Sequence, residues 1–249
     1  LITPLNAQVT GADLIDIDDD DLNIGADIFS DYNEDVEAVQ IMEDERFFRY
    51  GRFFTFSIGV GNTGFTGNRG SVTQNEPPTF SLQLSYFLNF RVSYQIGIEH
   101  SKHNMLFNGP VNGSGSSIPG LVEVNMTRPY FGLRYHIDTS DLGTALTYSN
   151  PYLTSRIEYW YQKNKFINQP NLTDQQGGGL GFGFGGGLEF PIVLKEYYIG
   201  VEFLYHVVNY FDKYTQFFRE STTNTGSQEN VEDLTGNAVS FMVSYVINW

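Results

Sequence analysis

The sequence predicts an all-β protein: a closed eight-stranded antiparallel transmembrane β-barrel with an acidic N-terminal periplasmic extension. Three observations carry this prediction. Eight stretches alternate apolar and polar residues with a period of two, the mark of strands with unlike faces. The links between them alternate long and shorter, as in an up-and-down membrane barrel. The apolar face also holds more bulky side chains than an eight-stranded interior accommodates, so it must face outward, toward lipid.

The arm comes first. Residues 1 to 45 contain 14 of the 29 acidic residues and no Lys or Arg, so nearly all of the net charge of −15 lies there. The expected division is an acidic arm over 1–46 and a barrel over 47–249. Asp16, Asp18 and Asp20 have the alternate spacing of a calcium loop, but its sixth and twelfth positions hold Asp21 and Asp27 instead of Gly and Glu. No metal site is therefore expected. Ile24, Ile28 and Phe29 lie among the acids, and a purely solvating tail has little use for them. Charge that steers an encounter, with apolar groups that hold it, suits docking on a basic, apolar groove of a periplasmic protein partner.

The strands follow in order. In RFFTFSIGVG, Phe54, Phe56, Ile58 and Val60 alternate with Thr55, Ser57, Gly59 and Gly61; in TFSLQLSYFL, Phe80, Leu82, Leu84 and Tyr86 alternate with Ser81, Gln83 and Ser85. A tight turn near Leu88 to Arg91 leads into FRVSYQIGIE. The fourth stretch, LVEVNMTRPYFGLRYHI, changes apolar phase between Met126 and Phe131, which predicts a bulge near Arg128 and Pro129. TSRIEYWYQ, GGGLGFGFGGGLEF and YIGVEFLYHV continue the alternation, and VSFMVSYVINW ends the chain on it.

On the opposite face stand Ser, Gln and Gly with Arg91, Glu99, Arg134, Arg156, Glu158, Glu189 and Glu202. Charges in a narrow lumen are costly unless paired, so these seven are expected to form an internal ion-pair network that fills the core. A conduction path is the other reading. His136 and His206 share this face, and a structural role is expected for both.

Several classes are excluded. There is no cysteine, and no run nears the roughly 18 apolar residues of a membrane helix. GGGLGFGFGGG continues as strand to Phe190 and lacks the helix a phosphate loop requires. A pI near 4.5 repels nucleic acid. His100, Ser101 and His103 in EHSKH form no convincing set of nucleophile, base and orienter, so no enzyme activity and no cofactor are expected.

The closing VSYVINW, with Tyr245, Ile247 and Trp249 on one face, resembles the C-terminal signal read by the outer-membrane assembly machinery. By pattern, residues 47 to 249 resemble small bacterial outer-membrane barrels such as the outer-membrane protein A barrel and the outer-membrane protein W family. The resemblance implies a bacterial outer-membrane location in contact with lipid, with the last strand pairing with the first near Phe54. The expected function is a structural anchor whose periplasmic arm docks a partner. The alternative is a passive pore for small or hydrophobic solutes.

Overall fold

The computed structural model describes residues 41–42, 51–74, 78–106, 120–139, 149–167, 173–194, 196–211 and 233–249. Gly51–Trp249 forms one compact unit apart from Leu1–Tyr50. Its strands are β1 (Phe54–Phe65), β2 (Pro78–Phe87), β3 (Val92–Leu106), β4 (Leu121–His136), β5 (Asn150–Phe166), β6 (Gln175–Val193), β7 (Tyr197–Tyr210) and β8 (Ala238–Asn248). Each pairs antiparallel with the next, and β8 pairs with β1 to close the barrel. At the seam Phe54 N donates to Trp249 O at 3.2 Å and Trp249 N to Phe54 O at 3.1 Å. Closure gives every strand a hydrogen-bonded neighbour on both sides, with the far ends of β3 and β7 running past β2 and β8.

The β2–β3 turn is set by Asn89, whose Oδ1 accepts from Arg91 N at 2.9 Å and Val92 N at 2.7 Å. It shares its end of the barrel with the β4–β5 and β6–β7 links and with the start of β1 and the end of β8. The links at the other end are longer on average, up to 27 residues between β7 and β8, although β4–β5 with 13 residues exceeds β5–β6 with eight.

The outer wall is apolar around its middle: Phe80 is 58 % and Ile157 65 % exposed, with Leu82, Ile96, Phe131, Leu153, Phe182 and Phe203 in like positions. Water would penalise such a continuous belt, whereas hydrocarbon accommodates it. Aromatic rings gather toward the short-turn end, where Phe54 meets Tyr86 at 5.1 Å and Tyr197 stacks on Tyr245 at 5.8 Å. Such rings suit the boundary between hydrocarbon and headgroups. The chain is a membrane-spanning β-barrel of the outer-membrane type.

The expected bulge at Arg128 and Pro129 is absent. β4 keeps one register with β3 from Leu121 to Tyr135, including Glu99↔Arg128 and Ile98↔Pro129, and its even-numbered residues face inward throughout. What changes along β4 is the chemistry of the two sides. Near the short turns apolar residues point outward; toward the long links Val122, Val124 and Met126 point inward, and Glu123, Asn125 and Thr127 point outward. There the barrel is built like a soluble one, with an apolar interior and a polar wall. Met105, Trp160, Phe166, Val208, Tyr210, Leu234 and Ala238 complete that interior cluster. An irregularity does occur in β6, between Pro191 and Val193 at the short-turn end, where proline has no N–H to donate.

Candidate functional site: the barrel lumen

The lumen is divided by side-chain size. β1, β2, β3 and β8 contribute Ser57, Ser81, Ser85, Ser93, Ser240 and Ser244, while β4, β5 and β7 send long charged or aromatic side chains across the space these leave. Glycines of β6 deepen it. A Cβ on Gly183 would stand 2.7 Å from Glu158 Oε1, so that carboxylate lies where a side chain would otherwise be.

Four arginines and three glutamates alternate in one continuous chain of contacts. Arg52 Nη1 donates to Glu189 Oε2 at 2.7 Å, and Arg134 Nη1 reaches the other oxygen of Glu189 at 2.6 Å. Arg134 Nη2 continues to Glu202 Oε2 at 3.0 Å, and Arg156 Nη2 binds Glu202 Oε1. Arg156 Nη1 passes to Glu99 Oε1 at 2.9 Å, and Arg128 Nη2 ends the chain on Glu99 Oε2 at 2.6 Å. Each carboxylate here thus accepts from two guanidinium groups. Charge-assisted bonds of this kind offset the desolvation that makes isolated buried charges prohibitive.

Aromatic rings cover the guanidinium faces. Arg134 lies 3.8 Å from the centroid of Tyr152, Arg156 4.2 Å from Tyr130 and Arg128 4.3 Å from Trp160. Tyr152 also donates its hydroxyl to Glu202 at 3.1 Å, and Tyr130 donates to Gln83 at 2.8 Å. Next toward the long links, Glu158 accepts from Trp160 Nε1 at 3.0 Å and lies 2.8 Å from His206 Nδ1; His206 Nε2 lies 2.7 Å from Ser240 Oγ.

Both ends of this core are covered. At the short-turn end Arg52 sits between the rings of Phe87 and Tyr198, 4.6 and 4.8 Å from their centroids. At the other end lies the apolar cluster, and over it a single-turn helix, α1 (Gly67–Val72), inserts Arg69, fully buried and 3.7 Å from the centroid of Tyr210. α1 is fastened to the segment before β8 by Arg69 N to Thr235 O at 3.0 Å and Thr66 N to Asn237 O at 2.8 Å. Between the ion chain and the serine side, a cavity of about 10 Å³ remains, lined by Ser57, Ser81, Gln83, Arg134, Tyr152, Glu202 and Ser244. That is space for roughly one water.

Of the seven residues expected to form the network, Glu99, Arg134, Arg156, Glu189 and Glu202 lie in the chain, and Glu158 joins His206 beside it. Arg91 does not take part. It lies exposed in the β2–β3 turn, because the strand begins one residue later, at Val92. Arg128 and Arg52, which the alternation does not single out, complete the chain instead. Counting inward from Arg134 at alternate positions reaches Arg128; the assumption that apolar residues always face outward broke that count. Arg52 precedes the first strand, where alternation carries no information.

Ser101 and His103 lie within β3 and face inward, His103 Nε2 2.9 Å from Ser101 Oγ. Both are buried. Tyr245, Ile247 and Trp249 are on the outer wall, Trp249 63 % exposed. Asp16, Asp18, Asp20, Ile24, Ile28 and Phe29, expected to bind a partner, lie outside the described residues.

No family model matches the sequence, and no curated protein matches it. Among solved structures the chain is similar to Neisserial surface protein A at 10 % identity, over 79 % of this chain and 97 % of that one, with a TM-score of 0.49. Ail, the attachment invasion locus protein of Yersinia pestis, is 13 % identical over 79 % and 97 %, with a TM-score of 0.45. The outer membrane protein OprG of Pseudomonas aeruginosa is 10 % identical over 80 % and 97 %, with a TM-score of 0.43. Likenesses at this level say nothing of what this chain does.

Proposed function

We propose that this chain is an integral outer-membrane barrel that acts as a rigid, closed anchor, with its long links outside the cell and both chain ends in the periplasm. The observation that carries the proposal is the unbroken run of ion pairs from Arg52 to Arg128. A lumen in which each carboxylate of the run is held by two arginines resists hydrated ions, because passage would separate buried charges from their partners. The acidic arm over 1–46 is the part left to engage a periplasmic protein, and insertion of the barrel into the membrane relies on the assembly machinery reading Tyr245, Ile247 and Trp249.

A second reading, a passive pore for small or hydrophobic solutes, is favoured by one feature. The serine-lined side of the lumen meets Arg134 and Glu202 across a cavity instead of in tight contact. Widening there would give a narrow polar path. Planar-bilayer recordings of the full chain and of a chain lacking residues 1 to 45 separate the readings. A closed anchor gives no large steady conductance in either form. Steady conductance of the full chain supports the pore, and conductance that appears only without the arm assigns the arm to blocking its own barrel.

A further inference from the structure

We propose that the outer faces of β3, β4 and β5, just beyond the apolar belt, form a binding site for the phosphates of a glycolipid in the outer leaflet. The proposal rests on the reading of the long-link end as the cell exterior.

Register brings the site together. Lys102 on β3 pairs with Asn125 on β4, which pairs with Lys163 on β5; one step further out, Asn104 pairs with Glu123 and Glu123 with Lys165. Adjacent strands are spaced by about 4.8 Å, so Lys102 and Lys163 start from points about 10 Å apart with Asn125 between them. That spacing fits a headgroup bearing more than one phosphate, and it is held by sheet hydrogen bonds instead of by a loop.

The height is right for a headgroup. One step nearer the membrane centre the outward residues are His100, Thr127 and Tyr161, and the next step is Ile98, Pro129 and Tyr159. Three neighbouring strands thus change from apolar to polar at the same row. Acyl chains would lie against the lower row, and the lysine ammonium groups would reach the phosphates above it.

The charge is also distributed unusually for so acidic a chain. Among the described residues Lys102, Lys163 and Lys165 are all the lysines there are, and all three are on this patch. Arginines fill the fixed pairs of the lumen, whereas the patch has compact ammonium groups with rotatable donors, suited to phosphate as point charges. Two carboxylates share the patch: Glu123 lies 2.8 Å from Lys102 and Asp174 3.3 Å from Lys163. The lysine side chains remain about half exposed, 55 % and 48 %. Exposed pairs of this sort contribute little and exchange easily, and three ammonium groups outnumber two carboxylates.

The test uses the full-length protein in phospholipid nanodiscs, with bis-phosphorylated lipid A and its enzymatically dephosphorylated counterpart as probes, read by native mass spectrometry. Wild type is expected to bind the phosphorylated form about tenfold more tightly than the dephosphorylated one, and equimolar inorganic phosphate should not displace it. The triple variant Lys102→Gln, Lys163→Gln, Lys165→Gln should lose that preference, and the double variant Lys163→Gln, Lys165→Gln should lose most of it. Arg91→Gln, an exposed cation at the opposite end, should keep it. No preference in wild type, retention in the triple variant, displacement by phosphate, or equal loss in Arg91→Gln would each overturn the site. Heat-modifiable mobility on gels reports insertion separately: an inserted barrel without the preference refutes this site alone, whereas failure of wild type to insert refutes the membrane reading as well.

Discussion

Glu202 accepts from Arg134, Arg156 and Tyr152, and so it joins the two halves of the ion chain. Removing its charge leaves two buried guanidinium groups short of a partner, and the serine side opposite offers no carboxylate to replace it. We expect Glu202→Gln to lower stability by about 3 kcal/mol, the scale set by breaking one side of a buried pair. Arg91→Gln, in the exposed turn, should stay within about 0.5 kcal/mol of wild type. Urea unfolding of lipid-reconstituted protein measures both, and equal effects would mean the chain of contacts contributes little. At this scale the sequence was informative wherever a charged residue fell inside a clear alternation, as Glu99, Arg134, Arg156, Glu189 and Glu202 do. It could not say which acid meets which base, since that depends on how far a guanidinium reaches across the lumen from a strand distant in sequence.

Among the elements, all eight strands were legible, because a period of two survives even where Gly fills the inward positions from Gly177 to Gly187, as in β6. Their far ends were less so. β3, β5 and β7 extend to Leu106, Phe166 and Tyr210, past the residues where apolar side chains stop pointing outward. Once the wall leaves the membrane the two faces exchange character, and in sequence that exchange resembles a bulge. β4 provides the test. With continuous register, Val124→Cys should be shielded from a membrane-impermeant maleimide on intact cells, while Asn125→Cys reacts readily; the reverse pattern would restore the bulge. β8 provides another, since its outward residues run to the last position and Trp249 exchanges backbone hydrogen bonds with Phe54. Replacing Tyr245 and Trp249 together with Ser is expected to reduce heat-modifiable, membrane-inserted protein several-fold, whereas two serine substitutions among residues 111–118 should not. Wild-type levels in the β8 variant would count against the last strand as an assembly signal.

For the whole molecule, charge is arranged in three regimes: paired arginines and glutamates inside the barrel, lysines on its outer wall, and an arm of acids without a base. Four arginines meet three glutamates in the first regime, and Glu158 beside them brings the carboxylates to four, so those pairs do not call on the arm for neutrality. Fourteen acids over residues 1 to 45 repel one another, and a chain that only had to stay solvated would gain nothing from Ile24, Ile28 and Phe29 among them. A basic partner surface with apolar recesses satisfies both features, charge accelerating the encounter and apolar contact prolonging it. With a photo-reactive residue at Phe29 in living cells, we therefore expect adducts to a second periplasmic protein, and a slower association at high salt when arm and partner are mixed after purification. Changing Asp16, Asp18 and Asp20 together to Asn should weaken capture without altering heat-modifiable mobility, because the barrel folds on its own balanced core. Adducts confined to the same chain and indifferent to salt would instead make the arm a cover for its own periplasmic mouth.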